Sequence, residues 1–270
     1  RKESILRNML SVCRQPLRPL PSGFISCLSI YCCGADGHNL PCRMFVKYAY
    51  FQYLCIWNMK MNRNHILQLV TEGEHVHQDF KFAITDACKI ARSLSAFSNT
   101  EGGRLLVGVK DNGKIAGIRS AEEIYMIEVA ATRYCRPSVT LDSQIYKVDG
   151  KDVLEVSVAE SQHKPVYAVD EDKKPKAYIR IKDETILASP VHLDIWRHDH
   201  KDVMIRCNER EQCIMRLLEK YGEITLNRCV RLSHIPRRQV ISLLADFIRF
   251  DLVETVFRDH IFYFKLKQNQ

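Results

Sequence analysis

No two cysteines of the 270-residue chain are spaced C-x-x-C, so a zinc ribbon or thioredoxin-like redox motif has no support. No G-x-x-x-x-G-K-[ST] string occurs either. The segment from Gly103 to Lys110 has only a superficial likeness to it, because it reads as a strand and lacks the Gly-Lys-Ser/Thr ending that cradles phosphates. Long apolar runs are also missing. Phe45 to Trp57 is rich in aromatics but is interrupted by Lys47, and at about 13 residues it is too short to span a bilayer. A secretory leader needs a basic start, a continuous apolar core and a small-residue cleavage site, and that layout is absent. Neither an internal repeat nor a low-complexity tract appears. These absences argue against P-loop nucleotide hydrolysis and against a membrane partner.

What is present is ordinary for a globular protein: 46% hydrophobic and 27% charged residues, with room for one to two domains. The net charge of +8 is unevenly placed. Residues 1–58 hold seven Lys or Arg against two acids, residues 59–202 hold 21 against 22, and residues 203–270 hold 12 against 8. The C-terminal excess is therefore better evidence for a nucleic-acid partner than the overall charge. Cysteine usage splits in the same way. Cys13, Cys27, Cys32, Cys33, Cys42 and Cys55 crowd the first segment, whereas Cys88, Cys135, Cys207, Cys213 and Cys229 sit inside helical patterns, as small buried hydrophobes do. They read as reduced cytoplasmic thiols.

Residues 1–58 show no sustained period and begin at Arg1. The preferred expectation is an over-extended reading frame upstream of a start at Met59 or Met61; a poorly ordered extension is the alternative. From Met61 onward the chain reads as a domain. Asn62 or Asn64 caps a short helix carrying Ile66, Leu67 and Val70, which Gly73 ends. Gln78 to Phe82 alternates as a half-buried strand, with Asp79 and Lys81 on its polar side. Thr85 or Asp86 caps a helix whose Ala87, Ile90, Ala91, Leu94 and Phe97 form one apolar face. Gly102 and Gly103 stop that helix, Leu105 to Val109 is a strand covered on both faces, and Asp111-Asn112-Gly113 turns the chain back.

Further on, Ala121 to Cys135 reads as a second amphipathic helix. Val139–Val148 and Val153–Val158 form a hairpin, and Pro165–Val169 pairs with Ala177–Ile181. The order argues α+β with a mixed sheet over residues 59–190. Residues 191–202 read as a linker, with Ser189 to His200 a helix or connecting stretch. His198 and His200, with Asp199 and Asp202 nearby, suggest a hydrated helix end more than a metal site. Residues 203–270 then run helix (Glu209–Tyr221), helix (Ile224–Leu232), helix (Pro236–Phe250) and hairpin, which is the plan of a winged helix-turn-helix.

The phrase Ser95-Ala96-Phe97-Ser98-Asn99-Thr100-Glu101-Gly102-Gly103, followed by Leu106-Val107-Gly108-Val109, resembles the AlbA-like (AlbA_2) domain of Schlafen proteins and of many bacterial predicted regulators. That family includes RNA-cleaving and nucleic-acid-binding members, and some are labelled ATP-binding. Its nucleases carry an E-x-x-x-x-E-F-K motif and a third acid after Gly-Val. The resemblance thus implies that Glu74, Asp79 and Asp111 are candidate catalytic and metal-holding residues for Mg²⁺ or Mn²⁺, which would polarise a phosphoryl group and activate water. Asp79 departs from the pattern by being a methylene shorter than Glu, and Lys110 stands where another acid is frequent. The alternative is that Glu74 is solvent-exposed, Asp79 pairs with a neighbouring Lys and Asp111 nucleates the turn.

Nucleic-acid contacts have three candidate groups. Lys81 stands beside the acids, and Lys174, Lys176 and Arg180 lie on a basic hairpin strip. Arg237, Arg238 and Gln239 open the presumed recognition helix, with Arg228, Arg231 and Arg258 able to meet phosphates. The expectation is a cytoplasmic nucleic-acid-binding protein, a DNA-binding transcriptional regulator. Its alternatives are a metal-dependent ribonuclease acting on RNA and an ATP-binding or protein-interaction module; a homo-oligomer is compatible with each.

Overall fold

The computed structural model describes residues 63–170, 173–198 and 208–267, which all fall in the compact unit Met59–Gln270. The expectations for residues 1–58, for a start at Met59 or Met61, for an Asn62 cap, and for Asp199, His200, Asp202 and Cys207 lie outside the described residues. Among the described residues no helix is long and apolar enough to cross a membrane.

The first helix among the described residues, α1 (63–72), places Ile66 and Leu69 in the core. Strand β1 (Gln78–Lys81) then leads through α2 (Ala87–Asn99) into β2 (Gly103–Val107), which lies parallel to β1 with Phe80 opposite Leu106. Asp86 caps α2, accepting from the Cys88 and Lys89 amides at 2.8 and 3.3 Å. Helix α3 (Ala121–Val129) widens into a π-helical turn (Ala130–Tyr134), and Cys135 stands in the two-residue strand β3 (Cys135–Arg136) instead of a helix. Strands β4 (Leu141–Val148) and β5 (Lys151–Val158) make a hairpin about Asp149-Gly150, both at positive φ, as a two-residue turn requires. The first sheet runs β1-β2-β5-β4 and is mixed: one parallel pair, the rest antiparallel.

Both faces of that sheet are covered. Leu105 and Val107 join α2 and α3 in one core, while Leu106 and Val109 join α1, Phe80 and Val153 in the other. Alternate residues of β2 therefore serve opposite cores, and Leu105, Leu106 and Val107 are all fully buried. Burial of side chains of this size stabilises by roughly 1.5–3 kcal/mol each.

A second sheet, β3-β6-β7-β8, lies against α2. It contains β6 (Tyr167–Val169), β7 (Pro175–Ile181) and β8 (Glu184–Leu187), and β8 is a strand that the alternation in the sequence does not reveal. Helix α4 (Pro190–Arg197) takes up the helical alternative for Ser189 to His200. Its Val191 and Ile195 enter the C-terminal core and its Leu193 and Trp196 pack on the second sheet, so it is a shared structural element. Ser189 caps it and Pro190 occupies the first turn.

The C-terminal part contains α5 (Glu209–Tyr221), β9 (Glu223–Thr225), α6 (Leu226–Ser233), α7 (Arg237–Arg249), β10 (Val253–Arg258) and β11 (Ile261–Leu266). Asn208 and Glu211 form a reciprocal capping box on α5. Ile224, read from sequence as helical, belongs to β9, which pairs with β11 in the order β10-β11-β9. Phe264 faces Ile224 across that pair, and both are buried.

Candidate functional site

The three acidic candidates do not form one metal-holding group: Glu74 adjoins Asp79, and Asp111 does not join them. Asp79, 4% exposed, is not on a solvated strand face. Lys81 Nζ lies 2.8 Å from its Oδ2 and Arg180 Nη1 lies 3.7 Å from its Oδ1. Ser93 Oγ donates to Oδ2 at 3.4 Å. Arg180 reaches this point from β7 with its side chain 1% exposed. Its Nη2 donates to the carbonyls of His75 and Gln78 at 3.1 and 3.2 Å, its Nη1 donates to Thr185 Oγ1 at 3.1 Å, and its guanidinium lies over the Phe97 ring. Arg180 is thus a structural counter-charge, and the expected nucleic-acid contact through it is corrected: a phosphate has no access to it.

Glu74 stands beside Asp79. Its Oε1 accepts from the Phe80 amide at 2.9 Å. Burial raises its carboxyl above the ordinary value, the Phe80 amide opposes that shift, and a hydrogen bond to Asp79 together with the Asp79 charge raises it further. Asp111 is exposed in the turn closed by the Gly113 amide on the Lys110 carbonyl at 2.7 Å. Among the described residues no group of three or more His, Cys, Asp or Glu is placed to hold a metal ion. The donor set does not fit Mg²⁺ or Mn²⁺ here: both Asp79 oxygens already face cations, and among the described residues Asp111 does not join Glu74 and Asp79 in a metal-holding group.

The hairpin strip divides too. Lys174 is exposed, whereas Lys176 Nζ donates to Asp170 Oδ2 at 2.8 Å and Arg92 binds the other oxygen. Hydrogen bonds from Lys176 and Arg92 hold the Asp170 carboxyl down at about 2. Lys81 is likewise engaged by Asp79.

The C-terminal candidates come together. Arg237, Arg238 and Gln239 are exposed in the first turn of α7, and Arg228 and Arg231 are exposed on α6. Arg237 Nη1 donates to Asn227 Oδ1 on α6, which joins the two helices. Arg228 lies over the Tyr221 ring, 4.3 Å from its centroid. Among the described residues, Arg228, Arg231, Arg237 and Arg238 meet no carboxylate. Arg258 is different: Glu223 Oε2 binds it at 3.0 Å and the Tyr263 ring lies beneath it. Lys265 and Lys267 are paired with Glu254 and Asp251. Tyr221 and Asn227 were not singled out from sequence; an aromatic at the end of α5 and a short amide between basic residues were the available signals.

The residues that carry the family phrase are largely structural. Ser95, Asn99 and Thr100 line one side of α2 and bind the backbone of the second sheet: Ser95 Oγ donates to Val166 O at 2.8 Å, and Thr100 Oγ1 accepts from Arg180 N at 2.9 Å. The result is a mixed α+β domain in which the phrase joins helix to sheet. Residues 74–189 match the family described as Schlafen, AlbA_2, so the chain carries a Schlafen AlbA_2 domain.

No curated protein matches the chain. Among solved structures it is similar to the DIP2311 protein from Corynebacterium diphtheriae, with 18% identity and a TM-score of 0.35 over 57% of this chain and 32% of that one. It spans about a third of that protein's length. It is also similar to the N-terminal domain of a "Putative ATP-dependent DNA Helicase RecG-related Protein" from Nitrosomonas europaea, with 21% identity and a TM-score of 0.35 over 54% of this chain and 95% of that domain.

Proposed function

We propose that the chain is a nucleic-acid-binding protein in which residues 208–267 act as a winged helix and α7 reads duplex DNA, as in a transcriptional regulator. One observation carries this reading: four arginines that meet no carboxylate among the described residues lie on α6 and the first turn of α7, while the other cations of that region named above are paired with acids. The order helix, short strand, helix, helix, hairpin supports it, because such folds place the N-terminal residues of the last helix against base edges. Arg and Gln match guanine and adenine there, and Arg228 and Arg231 fall where phosphates would run. In this reading the AlbA_2 domain is the sensing, dimerising or contact-adding part of a cytoplasmic regulator.

Anisotropy titration of duplex DNA at several salt concentrations tests it. Affinity should fall steeply with salt, by a log–log slope of about −0.9 for each phosphate neutralised. The double variant Arg237→Ala, Arg238→Ala should bind at least about tenfold more weakly, given roughly 1–3 kcal/mol for each good base contact. Absent or salt-independent binding removes the proposal.

A further inference from the structure

Phe82 follows directly on β1, and Lys110 stands three residues beyond β2. Both therefore lie at the carboxyl end of the one parallel strand pair of the first sheet, the end at which such sheets gather loops around ligands. Phe82 is 38% exposed. Two cations lie over its ring, with Lys110 Nζ 5.0 Å and the Arg119 guanidinium carbon 4.6 Å from the centroid. Both are exposed, and among the described residues neither meets a carboxylate.

The surrounding chain holds this arrangement in place. Glu123 is 4% exposed. Its Oε2 accepts from the Ile84 amide at 3.1 Å and its Oε1 from the Arg119 amide at 2.8 Å. One buried carboxylate thus ties the backbone two residues after Phe82 to the backbone of Arg119. Gly108, at φ +92°, accepts from the amides of Ala116 and Gly117 at 2.8 and 2.9 Å, which closes the loop that carries Lys110. A buried carboxylate is costly unless hydrogen-bonded; here its bonds fix a surface patch.

The chemistry of that patch selects its ligand. An aromatic ring layered with a guanidinium plane offers stacking to a flat ring, and two unneutralised cations favour phosphate beside it. Metal cations are repelled, an apolar peptide would leave both charges unsolvated, and a duplex hides the faces of its bases. We propose that Phe82, Lys110 and Arg119 form a contact for single-stranded nucleic acid: one unpaired base stacks on the Phe82–Arg119 layer and a flanking phosphate meets Lys110. This contact is independent of the duplex reading given to α6 and α7.

The test uses the full chain and a single strand of about ten nucleotides carrying 2-aminopurine, whose fluorescence is quenched by stacking. Wild-type protein should bind and quench. Phe82→Leu, which keeps apolar bulk, should lose the quench and bind about tenfold more weakly, and Phe82→Trp should retain both. Arg119→Gln should also lose the quench, which keeps the test decisive if Phe82→Leu misfolds. Arg237→Ala with Arg238→Ala should change nothing in this assay, so failure of the duplex proposal and failure of this one are distinguishable. The inference is overturned if the wild type neither binds nor quenches, or if Phe82→Leu quenches like the wild type. It is overturned equally if free 2-aminopurine riboside monophosphate saturates the protein at the same concentration as the strand.

Discussion

Asn99 holds Val166 by both of its main-chain polar groups: Asn99 Oδ1 accepts from the Val166 amide at 2.7 Å and Asn99 Nδ2 donates to the Val166 carbonyl at 2.8 Å. The same Nδ2 donates to Tyr178 O at 3.0 Å. A single amide on α2 thus satisfies two adjoining chain segments of the second sheet, 67 and 79 residues away in sequence. Asn99→Ala strands the Val166 amide and takes a donor from the Tyr178 carbonyl, while the Val166 carbonyl keeps its bond from Ser95 Oγ. Since each unsatisfied group costs about 1–3 kcal/mol, the variant should lose about 2 kcal/mol or more, read as a lower urea midpoint with an unchanged slope.

Asp79 and Arg180 make the second case. Removing one member of a buried ion pair leaves the other charge uncompensated, at a cost of about 3–5 kcal/mol. Asp79→Ala should therefore destabilise the protein by that order, although Lys81 and Ser93 also lose a partner. Asp111→Asn, in an exposed turn, should change stability by less than about 0.5 kcal/mol. Equal losses in the two variants, measured by urea denaturation, would contradict the separation of these carboxylates.

Two groups lose their stabilising contribution on acidification. The Asp170 carboxyl is held at about 2 by Lys176 and Arg92, so its contribution is full above the ordinary value of 3.8 and is lost as pH falls toward 2. His192 is lowered from 6.5 to about 4 by burial, beside Ser189 and Phe262. The neutral, half-buried imidazole contributes its full stability above 6.5, and this is lost as pH falls from 6.5 toward 4. The urea midpoint should thus decline in two stages on acidification. His192→Phe should flatten the first stage and Asp170→Asn the second.

Much of the first sheet was legible because its signals are local. Asp86 as the cap, the apolar face of α2, the doubly covered β2 and the Asp149-Gly150 turn each depend on neighbours within a few residues. What was not legible depends on partners far along the chain. Asp79 alternates with Phe80 as a solvent-facing residue should, yet Arg180 from β7 buries it. Three-residue β9 and four-residue β8 exist only through pairing with β11 and β7. The phrase residues Ser95, Asn99 and Thr100 marked the domain, and their use as a backbone clamp appears only once the second sheet is placed.

Gly103 shows the same limit and yields a prediction. The sequence reads Gly102-Gly103 as a helix stop, but a Cβ at Gly103 would lie 2.4 Å from the Phe97 ring and 2.8 Å from the His77 carbonyl oxygen. Phe97 is fully buried and cannot yield. Gly103→Ala should cost about 1–3 kcal/mol through overpacking, whereas Gly150→Ala, with open space around its Cβ, should show only the milder penalty of its positive φ. Thermal midpoints of the two variants compare them directly.

Cations bound by a carboxylate and cations without one should respond differently to removal. Arg258 and Arg238 are both exposed arginines of the C-terminal part, and the sequence assigns both to DNA. Arg258 is bound by Glu223 and rests on Tyr263, so a phosphate would have to compete with a carboxylate already in place. Arg238 meets no such partner among the described residues. Arg238→Ala should therefore weaken duplex binding by about tenfold, in line with roughly 1–3 kcal/mol for a good base contact, while Arg258→Ala should change it by less than about twofold, as for a residue outside the contact. Glu223→Gln releases Arg258 and should raise affinity at low salt, with a steeper salt dependence as one more phosphate contact forms. Anisotropy titrations of the three variants against one duplex decide it, and an Arg258→Ala loss as large as that of Arg238→Ala would show that the Glu223 pair opens on binding.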